Sequence, residues 1–274
     1  MTKTLLCIGY SYSAQALTAL LDGWTVIGTS RSAKSVDGVT MVKWPGTDLT
    51  SYLEQATHLL MSAAPEADGD PFLNAVDLSR HSFEWVGYLS TTGVYGDHQG
   101  GWVDEDTPLT AGTKRGQMRI AAEQQWMDQD LPWHIFRLAG IYGPGRGPFA
   151  KVRNGIARRI VRENQVFSRI HVDDIAQVLA ASIAAPAPGT AYNVCDNDPA
   201  PPEDVIEHAA QLLGVSIPPA VRIEDADMSP MARSFYAESK RVRNDRITMD
   251  LGVHLKFPTY REGLADLLAR ERSD

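Results

Sequence analysis

The first 140 residues alternate short apolar, β-rich runs with stretches of helical periodicity. That alternation predicts βαβ units and a parallel sheet. Thr4–Ile8 is continuously apolar, as a strand buried on both faces requires. Ser13–Leu21 reads as a helix with Ala14, Leu17, Leu20 and Leu21 on one stripe. Trp24–Thr29, Val39–Val42, His58–Ser62, Trp85–Ser90 and Trp133–Leu138 read as further strands. Between them, Thr47 or Asp48 caps a short helix carrying Leu49, Tyr52 and Leu53. Pro71–Arg80 and Arg115–Gln129 also read as helices. Ile175–Ile183 is helical in pattern, and Ala191–Cys195 makes a late strand. Beyond residue 196 prolines cluster and the pattern turns irregular, with helices at Glu203–Leu213 and Tyr260–Arg270. The expected architecture is α/β, a Rossmann-type doubly wound parallel sheet with a small C-terminal substrate lobe. Residues 1–145 plus 171–195 form the dinucleotide-binding domain, and 146–170 plus 196–274 the lobe.

Composition narrows the function classes. The chain has 274 residues, 43% hydrophobic and 22% charged, which is ordinary globular composition. A net charge of −8 disfavours nucleic acid and anionic membrane surfaces as partners. No apolar run is long enough to span a bilayer, and the N-terminal apolar run stops at Gly9, so it reads as a strand and not a signal peptide. Cys7 and Cys195 sit in apolar runs and read as reduced core residues, which points to the cytoplasm.

After the first strand comes Gly9-Tyr10-Ser11-Tyr12-Ser13-Ala14. Set against G-x-G-x-x-G, the three key positions hold Gly9, Ser11 and Ala14. The first glycine permits the tight turn, the second lets backbone approach a pyrophosphate, and the third lets helix and strand pack closely. Ser11 and Ala14 are small enough to serve, and amides opening the helix, Ser13 among them, would face the anion. An ordinary βα turn is the bland alternative. Arg31 lies 22 residues beyond Gly9, at the end of the second strand, where a carboxylate would select NAD. An arginine flanked by Ser30 and Ser32 suits a 2′-phosphate instead. NADP(H) is therefore the preferred cofactor, with NAD(H) the other one the turn could hold. The strand-four exit, Ala63, Ala64 and Pro65 after Ser62, is small enough to lie flat against a cofactor's middle.

With these residues in place, the chain resembles the extended short-chain dehydrogenase/reductase family, the NAD-dependent epimerase/dehydratase group. Tyr88 to Gly96 resembles the Ser/Thr strand ending in V-Y-G. Phe136 to Arg146 resembles R-x-x-x-x-Y-G-P-G-R, Ile170 to Ala176 resembles H-V-D-D-[IV]-A, and Tyr192-Asn193-Val194 resembles Y-N-[VI]. The resemblance implies that Thr91 polarises the reacting oxygen. It places the family's Y-x-x-x-K helix at Arg115-Gly116-Gln117-Met118-Arg119, with Glu123 at the family's helix glutamate. Arg115 then stands where the catalytic Tyr belongs and Arg119 where Lys belongs. A guanidinium with a pKa above ~12 exchanges no protons near neutrality. Arg119 remains able to donate to the nicotinamide ribose, and Arg115 to pin an anion or polarise a carbonyl. The chain is thus similar to the atypical branch of the family.

Several side chains compete for the vacant proton-transfer role. Tyr95, Asp97 and His98 follow Thr91, and His98 has the most suitable intrinsic pKa, although a solvated loop with Asp97, Gln99 and Gly100 is the favoured account of it. His171 reads as a loop tie and helix cap, with no metal site around it. Between Arg146 and Arg169, Lys151, Arg158 and Arg162 would share a helical face, and an anionic substrate suits so basic a stretch. The family's nucleotide-sugar arginine falls on Phe167, which weakens that substrate class. The expected function is an NADP(H)-dependent oxidoreductase or epimerase on a small anionic hydroxyl or carbonyl compound. The alternative is a non-enzymatic NADP(H) sensor, and a homodimer is left open as the assembly.

Overall fold

A computed structural model describes residues 3–272. Seven strands form one parallel sheet: β1 (Thr4–Ile8), β2 (Thr25–Ser30), β3 (Val39–Lys43), β4 (His58–Met61), β5 (Trp85–Thr91), β6 (Trp133–Leu138) and β7 (Thr190–Val194). Their spatial order is β7-β6-β5-β4-β1-β2-β3, and every neighbouring pair is parallel. The strand order reverses between β1 and β4, and ligands of such sheets bind outside the strand ends at that reversal.

Period-two alternation divides the apolar side chains between two faces. On β1, Leu5 and Cys7 enter one core cluster while Leu6 and Ile8 enter the other. The first cluster is covered by α1 (Tyr12–Thr18) and by Ile175, Val178 and Leu179 of a long later helix, α5 (Val172–Ala184). The second is covered by Leu53 of α2 (Thr50–Leu53) and by Ala122 and Trp126 of α3 (Lys114–Met127). A third cluster lies apart, built from α4 (Phe149–Arg153), α6 (Pro202–Leu213) and α9 (Tyr260–Glu271). Phe149, Ala209, Ala210, Leu264 and Leu267 are buried in it. Among the described residues, the two remaining helices are α7 (Pro230–Phe235) and α8 (Asp245–Leu251).

Three expectations need correction. Residues 71–80 do not form a helix. The Asp70 carboxylate accepts from the amides of Phe72 and Leu73 and from the Trp126 indole, tying a single turn. The chain then opens so that Leu78 and Phe83 reach the core separately. Helix α1 stops at Thr18 and Leu20 is exposed, while Leu21 still packs against the first cluster from the turn that follows. The basic stretch after Arg146 is not one helix either. Lys151 lies on the five-residue α4, whereas Arg159–Val161 is a strand paired in parallel with Ala220–Arg222, so Lys151, Arg158 and Arg162 share no helical face.

Two further short parallel pairs, Gly140–Tyr142 with Arg169–His171 and Trp102–Val103 with Arg241–Val242, join the late segments to the sheet's carboxyl edge. Beneath that edge lies a buried ion pair. Arg137 on β6 meets Glu123 on α3 at 3.0 Å, with side chains 6% and 0% exposed. Ser90 donates a hydrogen bond to the same carboxylate, and Arg137 also donates to the Tyr95 hydroxyl at 2.9 Å. Removing one partner of such a pair leaves an uncompensated buried charge. Arg137→Met is therefore expected to cost about 3–5 kcal/mol of unfolding free energy. Urea denaturation measures it, and a loss below ~1 kcal/mol would show that the pair holds nothing together.

Candidate functional site

The β1–α1 turn opens on Gly9, whose φ is +82°. A Cβ there would meet the Ala63 amide nitrogen at 3.0 Å, so only glycine fits the close approach of this turn to the β4 exit. The turn is held from two sides. The Thr29 hydroxyl accepts from the Gly9 amide at 2.8 Å, and the Ser11 and Ser62 hydroxyls share a hydrogen bond of 2.5 Å across the strand-order reversal. Ser11 is also the N-cap of α1, accepting from the Ala14 amide. Ala14 is fully buried beneath the turn, where its small side chain lets α1 approach the sheet.

A cleft of about 1170 Å³ runs from this turn to the third hydrophobic cluster. Single small-molecule pockets hold roughly 300–1,000 Å³, so the cleft has space for a dinucleotide and a second compound. Ser11, Ser13, Ala64, Pro65, Thr91, Arg115 and Arg119 all line it. Gly9, Ala14 and Ala63 stand behind the lining. Ser30, Arg31 and Ser32 lie outside the cleft at the exit of β2, where Arg31 is exposed. Among the described residues, Arg31 has no hydrogen-bond or ion-pair partner.

Thr91 ends β5 and caps the 3-10 turn Thr92–Tyr95, its hydroxyl accepting from the Gly93 amide at 3.2 Å. Arg119 is anchored: its Nη1 donates to the Tyr88 hydroxyl and the Leu89 carbonyl, each at 2.9 Å. Arg115, one turn earlier on α3, is exposed, with its guanidinium 5.6 Å from the Phe235 ring centroid. His98 is drawn elsewhere, as its Nε2 faces the Tyr95 carbonyl at 3.0 Å and it does not line the cleft. Tyr95 is buried in the ion-pair network beneath, with burial pushing its hydroxyl up to about 12. His171 caps α5, its Nδ1 accepting from the Asp173 amide. Burial pushes that imidazole down to about 4, so it stays neutral.

Other cleft residues escaped the sequence reading. The segment after α7 threads between the loop around Gly96–Gly101 and residues 164–168. Its Ser239 amide donates to Asp97 and its Ser239 hydroxyl to the Asn164 carbonyl. Alternation along this strap turns Glu238, Lys240 and Val242 toward the cleft. Lys240 donates to the Gly96 carbonyl at 2.6 Å and to Glu238 at 2.8 Å. Gly96 caps the same 3-10 turn that Thr91 begins. Lys240 is thereby anchored at the far end of the turn that Thr91 begins. A five-residue alternation flanked by loops gave no usable sequence signal. Arg146, Lys151 and Arg169 complete the cationic lining, and Glu238 is the one carboxylate among the lining residues.

No family model matches the chain. A structure of a functionally unknown conserved protein from Silicibacter pomeroyi DSS is 55% identical, with a TM-score of 0.93, covering 98% of this chain and 99% of that one. Protein YeeZ of Escherichia coli K12 is 27% identical over 289 residues, 93% of this chain and 97% of that protein. A Streptomyces 3-diazoavenalumate denitrifying reductase is 28% identical over 181 residues, 59% of this chain and 58% of that protein. The fold is shared with a dTDP-glucose 4,6-dehydratase from Bacillus anthracis in complex with NAD, at TM-score 0.81 and 16% identity over 100% of this chain and 97% of that one. It is likewise shared with a UDP-glucuronic acid 4-epimerase from Bacillus cereus in complex with NAD, at TM-score 0.77 and 15% identity over 97% and 99%.

Behind the cleft wall, Asp196 has its carboxyl pushed up from 3.8 to about 8 by burial, with Arg169 opposing the shift. Between about pH 4 and pH 8 the folded chain holds a proton that the unfolded chain has released, so stability falls as pH rises through that window. Asparagine keeps the acceptor for the Asp198 amide and removes the titration. Asp196→Asn should therefore gain melting temperature relative to the parent as pH goes from about 5 to about 8. Parallel melting curves for the two proteins across that range would remove Asp196 as the source.

Proposed function

We propose that this chain, which has the fold of the NAD-dependent epimerases and dehydratases and fits an atypical member of that extended short-chain dehydrogenase/reductase group, binds a nicotinamide dinucleotide and serves as an oxidoreductase or epimerase. The reading is carried by one observation. The glycine turn pinned by Thr29 and Ser62 opens at the strand-order reversal into the same cleft that holds Thr91 and six cationic side chains. Ser11, Tyr12 and Ser13, which follow that glycine and open α1, line the cleft, so the turn fits a ligand lying close to backbone. A bound nicotinamide supplies hydride transfer. The rest falls to the chain. Arg31, exposed and unpartnered among the described residues, takes the 2′-phosphate and makes NADP(H) the preferred cofactor. The name of the Streptomyces relative, a reductase, supports the oxidoreductase class.

Thr91 holds the reacting oxygen of the substrate. Arg115 supplies positive charge to an anionic hydroxyl or carbonyl compound, since it exchanges no proton. Arg119, already bound to Tyr88 and Leu89, fixes the end of β5. Lys240 takes over the proton-transfer role, because its amine has an exchangeable proton and is fixed on two sides beside the turn that Thr91 begins. A second reading, a non-enzymatic NADP(H) sensor, draws on the arginines at both positions where the family carries its Tyr and Lys.

The 2′-phosphate assignment predicts that NADPH binds roughly ten- to a hundredfold more tightly than NADH, the range of a charge-assisted contact. Arg31→Ala should bring the two affinities together, as read by nucleotide fluorescence titration. Equal affinities in the parent protein would refute it.

In a screen of NADPH oxidation against small hydroxy and oxo acids, Thr91→Ala and Lys240→Met should each lower any turnover by about a hundredfold or more. Both should leave NADPH affinity intact. Turnover unaffected by both changes would place the chemistry elsewhere. Tight NADPH binding with no turnover across the screen would favour the sensor.

A further inference from the structure

At the lobe end of the cleft, Arg169 lies half-buried on the short strand Arg169–His171. Its Nη1 donates to two backbone carbonyls, Phe167 at 2.8 Å and Ala200 at 3.1 Å. Among the described residues, no carboxylate oxygen lies within 4.0 Å of its guanidinium. The acids that act on it are Asp196, whose amide donates to the Arg169 carbonyl, and, more weakly, Asp198. Burial pushes the Asp196 carboxyl up, which weakens its claim on the guanidinium. Burial in turn pushes the guanidinium below its ordinary value. A half-buried guanidinium whose Nε and Nη2 have no partner among the described residues is costly unless an anion or water meets it.

The surroundings of that charge are aromatic. The Phe167 and Tyr236 rings meet edge to face at 5.5 Å, and the Arg169 guanidinium lies 5.9 Å from the Tyr260 ring centroid. Phe235, adjacent to Tyr236, is 55% exposed at the mouth beside Arg115. All of these residues line the cleft. Edge-to-face ring pairs present faces and edges that accept a further flat ring. One guanidinium edge, with Nη1 already committed, matches the two oxygens of one planar carboxylate. A diphosphate, by contrast, calls for several convergent cations, and Phe167 and Tyr236 occupy the space beside this one.

We propose that the lobe end of the cleft binds an aromatic carboxylic acid, its carboxylate on Arg169 and its ring against Phe167 and Tyr236. This deepens the anionic-substrate reading above and rests on it for the identity of the neighbouring cofactor. It assigns the substrate class: an arylcarboxylate, with its reducible or oxidisable group extending toward Thr91.

The test is calorimetric titration of the full chain with trans-cinnamate, with and without saturating NADP+. Cinnamamide, acetate and inorganic phosphate serve as controls. Saturable heat is expected with cinnamate, and none with cinnamamide or acetate, which lack the charge or the ring. Arg169→Gln should weaken cinnamate at least tenfold, the loss of a charge-assisted bidentate contact. Tyr236→Ala should weaken it several-fold. Should Arg169→Gln fail to fold, Tyr236→Ala and the acid–amide comparison decide. The proposal is overturned by amide and acid binding alike, by full cinnamate affinity in the folded Arg169→Gln variant or in Tyr236→Ala, or by no saturable heat with cinnamate. Phosphate displacing cinnamate at comparable concentration would reassign the subsite to phosphorylated ligands. The separate NADP+ heat reads the cofactor claim by itself. Cinnamate binding without NADP+ binding would sink the function proposed above and leave the acid subsite standing, and the reverse result would do the opposite.

Discussion

The buried pair Glu123–Arg137 organises the carboxyl edge of the sheet, and the cleft is built on that edge. Two ions with almost no solvent contact are tolerable only when their remaining donors and acceptors are met. Here they are met by residues from separate elements: Ser90 at the end of β5, Tyr95 in the 3-10 turn, and through Tyr95 the Asn193 side chain on β7. The Glu105 carboxylate accepts from the Asn193 amide at 2.8 Å and extends the network into the loop before α3. Its immediate chain neighbours are those to which the proposed chemistry is assigned. Thr91 follows Ser90, and Gly96, which receives Lys240, follows Tyr95. Loosening the pair would free the two anchor points on which the proposed chemistry depends.

Charge is distributed against the chain's average. A protein with net charge −8 gathers six cationic side chains and a single carboxylate around one cleft. The partners of those cations differ, and so do their possible roles. Lys240 is held by a carbonyl and by Glu238, whereas Arg115, Arg119 and Arg169 touch aromatic faces, a hydroxyl or carbonyls without an ion pair among the described residues. Cations held without counter-ions keep their field for a ligand, because a low-dielectric wall screens them weakly.

The sheet was legible because its strands are long, apolar and flanked by turn residues; Thr4–Ile8 and Trp133–Leu138 coincide with the strands read from the sequence. Helices read from one apolar stripe were less secure. The Pro71–Arg80 stretch carries helical spacing, yet Asp70 holds one turn through three hydrogen bonds, and tertiary contacts to Trp126 override local preference. The glycine turn, Thr91 and the displaced Tyr and Lys positions lie on elements with strong local signals, so their shared cleft follows from the fold. Arg169, Tyr236, Glu238 and Lys240 lie on segments of two to six residues with no usable period. What brings them to the cleft is long-range: Ser239 bonded to Asp97 and Asn164, and Val242 paired beside Val103.

That long-range placement changes how the proposed chemistry is controlled. A Tyr on α3 would be rigid with the sheet, since α3 is bound to β5 and β6 through Glu123. Lys240 instead sits on a strap clasped between the sheet-edge loop and the segment entering the lobe. On the reading proposed here, moving the proton donor from α3 to the strap makes its position depend on how the lobe packs. The same strap continues from Tyr236 and Phe235, which wall the proposed acid subsite. Occupancy of that subsite and placement of the Lys240 amine are then mechanically linked through four residues of chain. Under that proposal, arginine at both of the family's Tyr and Lys positions would not be a simple loss, because charge stabilisation would stay on the rigid domain while proton transfer would move to the strap that walls the proposed acid subsite.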